Sequence, residues 1–142
     1  MDKKLSKRLA EIVDALPLFD GIRILEIGCG PGAAAREVSK RIGTGYILAI
    51  DRSAKAIQQA IAGSQAETAS GRLAFRHVAV ENFELQADEA PFDLAFAIRV
   101  GALDGRHPEI EARALAKIAK ALTKKGKLFI DGGNPLKEIP LP

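Results

Sequence analysis

The residues with the clearest chemical potential lie in Glu26-Ile27-Gly28-Cys29-Gly30-Pro31-Gly32. A glycine in such a turn permits positive φ, and the missing Cβ lets a ligand rest directly on the backbone. The apolar run before it (Ile22, Ile24, Leu25, Ile27) reads as a buried parallel strand. The alanine-rich segment after it reads as a helix, whose unpaired N–H groups point at the same ligand. Together they form the floor of a nucleoside-cofactor site. Asp51 closes a second apolar run about twenty residues further on, where a carboxylate accepts hydrogen bonds from ribose hydroxyls and repels a 2′-phosphate. A plainer reading makes Asp51 an acid at a helix N-terminus. Glu26 falls on a strand that otherwise reads as buried. An unpaired acid there is costly, so it must face the site or a donor in a nearby loop.

The remaining reactive side chains are few. His77 lies within a strand, where a structural histidine is the simpler reading. His107 lies in a loop near the expected pocket, as a general base or as a solvent-facing residue before a helix. Arg99, at a strand end, suits an anionic substrate or an ion pair, and Asp104 can assist either neighbour. Cys29 is the single cysteine, which excludes an intrachain disulfide and a two-cysteine metal site and favours a reducing, cytoplasmic setting. Its position on the glycine turn suits small packing rather than nucleophilic chemistry. No metal site is expected. Lys117, Lys120, Lys124, Lys125 and Lys127 resemble an RNA-binding strip, but a solvated helix face beside a negative helix end accounts for them.

These residues need a scaffold, and the pattern supplies one. Residues 1–17 hold an N-terminal helix from Lys3 to Leu16, with Leu5, Leu9, Ile12, Val13 and Leu16 on one face and Pro17 ending it. It either packs on the domain or forms a flap over the site. Strand one runs Ile22 to Ile27, and helix one Ala33 to Ile42 with Gly43 as its C′ residue. Strand two is Tyr46 to Ile50, and Ser53 caps a second helix. Residues 63–71 read as a loop, Leu73 to Val80 as strand three and Glu81 to Pro91 as an acidic connection. Strand four lies within Phe92 to Val100. Pro108 opens a long helix that ends at Lys124-Lys125-Gly126. Leu128 to Ile130 is strand five, and residues 134–142 form an extended, proline-bearing tail. Alternating strands and helices imply a single α/β domain over 1–142: a doubly wound, mostly parallel sheet of about five strands in the order 3-2-1-4-5.

Bulk properties agree. At 142 residues, 47% apolar and 27% charged, the chain is long and apolar enough for one globular core. Aromatics are only 5% and Trp is absent, so the core is built from Ala, Ile, Leu and Val, as suits helices on a parallel sheet. The net charge of +3 does not by itself argue for nucleic acid. No secretory apolar core or membrane-spanning run is seen.

The ordered series of motifs resembles the class I S-adenosylmethionine-dependent methyltransferases. Glu26 to Gly32 is similar to their motif I, E-x-G-x-G-x-G. Asp51 resembles their acidic residue at the end of strand two, and Asp51-Arg52-Ser53 the D-x-S that starts the second helix, with Ala56 where Met is common. Ala79-Val80-Glu81-Asn82-Phe83 is similar to the segment after strand three, Phe92-Asp93-Leu94-Ala95-Phe96 to strand four, and Gly126-Lys127-Leu128 to the entry of strand five. The resemblance covers about residues 20–133. It implies S-adenosylmethionine as cofactor and methyl transfer to an unidentified, small-molecule acceptor. Glu26, Gly28, Cys29, Gly30 and Gly32 would belong to the cofactor site, with the glycines against the methionine and ribose parts. Asp51 would take the ribose hydroxyls, Arg52 and Ala56 would lie beside the adenine, and Val80 and Glu81 near its edge. The backbone at Ile98-Arg99 would help hold the methionine ammonium, and Arg99 and His107 would face the acceptor.

The chain also departs from the pattern. Ala79 stands where Asp is common, so the adenine amino contact falls to another group such as Glu81. Arg99-Val100-Gly101-Ala102 is not the N-P-P-Y or D-P-P-Y of enzymes that methylate adenine or glutamine amino groups. Strands six and seven of the family are expected to be lacking, which leaves strand five near an open edge for the tail, or for a second copy in a homodimer, to cover. Two other readings stay open: a non-catalytic S-adenosylmethionine-binding subunit that needs a partner, and an NAD-binding module, because Gly28 to Ala33 also fits G-x-G-x-x-A.

Overall fold

A computed structural model describes residues 5–142. The elements, in chain order, are α1 (Lys7–Ala15), β1 (Arg23–Ile27), α2 (Ala33–Ser39), β2 (Tyr46–Asp51), α3 (Ala54–Ala62), α4 (Gln65–Ala69), β3 (Leu73–His77), β4 (Phe92–Ala97), α5 (Pro108–Ala121), β5 (Leu122–Asp131) and β6 (Leu136–Ile139), with a 3₁₀ turn at Val80–Asn82. The sheet order is β3-β2-β1-β4-β5-β6. Every pairing is parallel except β5 with β6.

Period-two alternation along the buried strands divides the core into two layers. Leu25, Ile27, Leu48 and Ile50 pack with Ala114, Ile118 and Ala121 of α5. Ile24, Ile47 and Ala49 pack on the opposite face with Val13 of α1, Ala34, Ala35 and Val38 of α2, and Ile57 of α3. Helices therefore cover both faces, as a near-continuously apolar parallel sheet requires. Full burial of each large side chain contributes about 1.5–3 kcal/mol. The reversal of strand order lies between β1 and β4, where the open crevice of a doubly wound sheet forms.

The N-terminal helix packs on the domain through the buried Ile12 and Val13, with Ser6 as its N-cap. Its expected start at Lys3 lies outside the described residues. Arg8 of this helix reaches Asp131 at the end of β5 (3.0 Å).

Several boundaries differ from the sequence reading. Helix α2 stops at Ser39 with Lys40 as C-cap, so Gly43 belongs to the following turn and is not the C′ residue. The expected loop at 63–71 contains α4, anchored by the fully buried Ser64, whose carbonyl accepts from Thr68 N–H. Strand β3 ends at His77 and β4 at Ala97.

Helix α5 ends at Ala121 rather than at the lysine-glycine sequence. Lys124, Lys125, Gly126 and Lys127 are instead part of β5, where a register irregularity opposite Phe92 and Leu94 absorbs the extra residues. The lysine row is therefore split between a helix and a strand.

The tail is not merely extended. Leu136–Ile139 forms β6, antiparallel to β5 with Leu128 opposite Ile139 and Asp131 opposite Leu136. A sixth strand is thus present. The β5 edge is satisfied within the chain, which removes the basis for a homodimer through that edge.

Candidate functional site

The site begins at the C-terminal end of β1. Gly28, Gly30 and Gly32 all have positive φ (69°, 54° and 90°), which glycine alone adopts without strain. Their surroundings differ. A Cβ on Gly30 would meet nothing within 4 Å, so the backbone there is open to a ligand. A Cβ on Gly28 would come within 2.5 Å of Val100 Cγ2, so this glycine lets the β4–α5 loop close on the turn. A Cβ on Gly32 would meet Phe75, Ala60 and Arg36 at 3.1–3.2 Å. Gly32 is buried, and its bareness lets α2 pack against Ala60 of α3 and Phe75 of β3.

Asp51 organises the turn. One of its carboxylate oxygens accepts from Gly30 N–H (2.9 Å), and the other from Ser53 N–H (2.8 Å). Each oxygen keeps acceptor capacity for a further donor. Ser53 in turn caps α3 by accepting from Ala56 N–H (3.1 Å). Ala56 is thereby fixed in the first turn of α3 and does not line the cleft.

Glu26 points from β1 into the layer beneath the turn and is 2% exposed. Its Oε1 is buried without a hydrogen-bond partner. Burial, helped by the charge on Asp51, pushes its pKa up to about 8. Cys29 is buried beside it. Burial raises the thiol pKa, with Glu26 and Asp51 adding to the shift, so the group stays a neutral packing element.

A cleft of about 280 Å³ opens above the strand ends. Among the residues singled out from sequence, Gly28, Asp51, Arg52, Val80, Glu81, Arg99 and His107 line it. Glu26, Cys29, Gly30, Gly32 and Ala56 lie outside that lining, under or behind it. His77 stays structural, its Nε2 3.0 Å from the Arg52 carbonyl. His107 precedes α5, with Nδ1 3.3 Å from Glu109 Oε1.

Arg99 is the one non-glycine residue with positive φ (57°) among the described residues. Such backbone costs roughly 1–3 kcal/mol and persists only when its surroundings hold it. Two bonds do so: Arg99 N–H donates to Asp131 Oδ1 (2.9 Å), and Arg106 Nη2 donates to the Arg99 carbonyl (3.0 Å). Of the backbone expected to hold a ligand ammonium, the Arg99 carbonyl already accepts one bond, from Arg106, and keeps its second lone pair. Arg106 and Val100, which the sequence reading did not single out, also line the cleft. No sequence signal marks Val100, whose contact with Gly28 joins residues far apart in the chain. The signal for Arg106 was the Asp104-Gly105-Arg106 turn, in which Arg106 Nε contacts Asp104 Oδ2 at 2.8 Å and holds that carboxyl below its usual range.

Among the described residues, no group of three or more His, Cys, Asp or Glu is placed to hold a metal ion, and no helix is long and apolar enough to cross a membrane. The profile of a methyltransferase domain family matches residues 24–126, from β1 into β5. The chain belongs to the methyltransferase domain family. The sheet order and motif series of this methyltransferase domain are those of the class I, Rossmann-like architecture.

Solved structures share the fold. YcgJ of Bacillus subtilis matches with TM-score 0.69 and 18% identity, over 87% of this chain and 49% of its own. The 4+2 cyclase SpnF matches with TM-score 0.68 and 27% identity, over 87% and 43%. An S-adenosylmethionine-dependent methyltransferase of Thiobacillus denitrificans, solved with S-adenosylhomocysteine, matches with TM-score 0.66 and 21% identity, over 89% and 48%. The methyltransferase domain therefore spans about half the length of these structures. No curated protein matches the chain.

Proposed function

We propose that this chain binds S-adenosylmethionine and transfers its methyl group to a small-molecule acceptor. The observation that carries the reading is the bond between Asp51, on the cleft wall, and Gly30 N–H, which ties a strand-end carboxylate to a glycine turn whose backbone is open above Gly30. The residues present fit the cofactor. Glu26 keeps a buried carboxyl oxygen without a partner, Gly30 is open above its backbone, and Asp51 retains acceptor capacity on both oxygens.

In this reading Asp51 accepts from the ribose hydroxyls. Arg52, Val80 and Glu81 flank the base, with Glu81 taking the amino contact that Ala79 lacks. The glycine turn and the 98–101 backbone face the methionine part, and Glu26 keeps a buried carboxyl oxygen without a partner beneath it. When bound, S-adenosylmethionine supplies an electrophilic methyl group on a sulfonium. The chain contributes alignment of the acceptor with that methyl group and exclusion of water, effects that alone can carry such a transfer. His107 is the imidazole on the cleft wall and stands nearest to a general-base role. A cytoplasmic setting belongs to the same reading and rests on the single, buried, free Cys29.

Two of the matched structures support the cofactor: the Thiobacillus denitrificans protein, and a phosphoethanolamine N-methyltransferase of Haemonchus contortus solved with S-adenosylmethionine (22% identity, TM-score 0.70). Calorimetry with S-adenosylhomocysteine beside NAD tests the binding step. Preferential binding of NAD would reject the proposal. Label transfer from methyl-labelled S-adenosylmethionine into extract metabolites tests the reaction. Binding without transfer would favour a non-catalytic subunit.

A further inference from the structure

A second, larger cleft adjoins the first. It measures about 580 Å³ and lies between the β4–α5 loop, the end of β5 and strand β6. Arg99 and Arg106 line both clefts, so the two meet across these side chains. Leu103, Ile130 and Ile139 give the second cleft an apolar floor. A methyl acceptor must sit beside the donor, and this space is contiguous with the proposed donor cleft.

The charges around the cleft are not all equally available. Asp104 is engaged by Arg106 (2.8 Å). Asp131 accepts from Arg8 (3.0 Å) and from Arg99 N–H (2.9 Å). The Arg99 guanidinium and the Lys137 ammonium have no side-chain partner among the described residues, and the same holds for the Glu111 carboxylate, the third charged group left over. Two uncommitted cations thus stand against one uncommitted acid above an apolar floor.

We propose that the acceptor is an organic anion with an apolar body, its anionic group held by Arg99 and Lys137 and its body on Leu103, Ile130 and Ile139. This rests on the methyl-transfer reading above and gives it a substrate class. Arg99 offers a planar fork suited to a carboxylate, and Lys137 adds a point charge from β6. The strand that closes the sheet edge then has a second use, because it brings one of the two cations to the site.

The test titrates the full chain with three probes of one shape: naphthalene-1-carboxylate, the neutral naphthalene-1-carboxamide and the cationic 1-naphthylmethylamine. Affinities are read by NMR, with and without S-adenosylhomocysteine. The carboxylate is expected to bind roughly fivefold or more tightly than the amide, with the amine weakest. Its shifts should centre on the methyl groups of Leu103, Ile130 and Ile139. Lys137→Gln should weaken the carboxylate about threefold or more, Glu111→Gln should strengthen it, and S-adenosylhomocysteine affinity should be the same in both variants as in the parent.

A carboxylate that binds no better than the amide, that ignores Lys137→Gln, or that shifts residues elsewhere would overturn the assignment. Loss of the methyl-transfer reading itself would appear separately, as failure of the parent chain to bind S-adenosylhomocysteine.

Discussion

Asp51 at the end of β2 holds Gly30 on the turn after β1 through a 2.9 Å hydrogen bond to its backbone N–H. The carboxylate therefore does two things: it fixes the shape of the glycine turn, and it offers acceptor capacity to a sugar. Asp51→Ala removes both and leaves the Gly30 and Ser53 N–H groups without their partner. The expected loss of S-adenosylhomocysteine affinity is roughly 1.5–3 kcal/mol, about ten- to a hundredfold in Kd by calorimetry. Asp51→Asn keeps one acceptor oxygen and should lose less. Asp104→Ala, which loosens Arg106 in an exposed pair and touches the cleft only through it, should weaken binding less than Asp51→Ala. Equal effects at the two aspartates would count against the ribose assignment.

Gly28 and Gly30 separate packing from binding. Alanine at Gly28 combines a φ of 69° with a Cβ 2.5 Å from a stiff, β-branched valine, so the β4–α5 loop must move. The variant should unfold at lower urea, with a loss of about 2–3 kcal/mol, and Val100→Ala in the same chain should restore part of it. Alanine at Gly30 meets nothing, so its stability loss should stay near the conformational cost of about 1 kcal/mol. Its effect should appear in S-adenosylhomocysteine affinity instead, because the new methyl group occupies space left open to the ligand.

The strand order and the glycine turn were legible because parallel strands buried on both faces leave continuous apolar runs, as in Ile47 to Ile50. Asp51 was legible because its distance from the turn is set by one helix and one strand. The end of α5 was not. Lys124-Lys125-Gly126 has the chemistry of a helix stop, but pairing of β5 with β4 competes for the same residues and takes them. Strand β6 was hidden because Leu136–Ile139 is short and half exposed, and only its ladder with β5 defines it. Within the site, all three glycines looked alike in sequence. Their roles diverge through contacts made by residues far along the chain, Val100 on Gly28 and Phe75 on Gly32.

Glu26 predicts an unusual pH dependence. Its carboxyl titrates near 4.5 when unfolded and at about 8 when buried in the fold. Between those values the native state binds the proton that the unfolded state has released. Stability of the ligand-free chain must therefore fall as pH rises through this window, and its contribution is complete only below about pH 4.5. Glu89 and Asp104 have pKa values lowered by Arg76 and Arg106, so their effects lie below the window and have the opposite sign. Urea unfolding at pH 5, 6.5 and 8 should show a decline in the parent that Glu26→Gln abolishes. A parallel decline in the variant would remove Glu26 as the cause.

Arg36 should act on the site from behind it. Its Nη1 donates to the Pro31 carbonyl on the glycine turn (2.8 Å) and to Ser64 Oγ (3.0 Å), which is fully buried at the start of α4. One guanidinium therefore ties the turn to the α3–α4 junction without reaching the cleft. Arg36→Ala leaves a buried hydroxyl short of a donor and should lower stability by about 1–2 kcal/mol in urea unfolding. The turn would also be less fixed in the free protein, so S-adenosylhomocysteine should bind roughly two- to fivefold more weakly. Ser64→Ala should remove only the structural half of this link. The double variant should then match Arg36→Ala in affinity while regaining part of its stability, because the orphaned hydroxyl is gone. An affinity that simply followed stability across the three variants would show that Arg36 supports the fold alone.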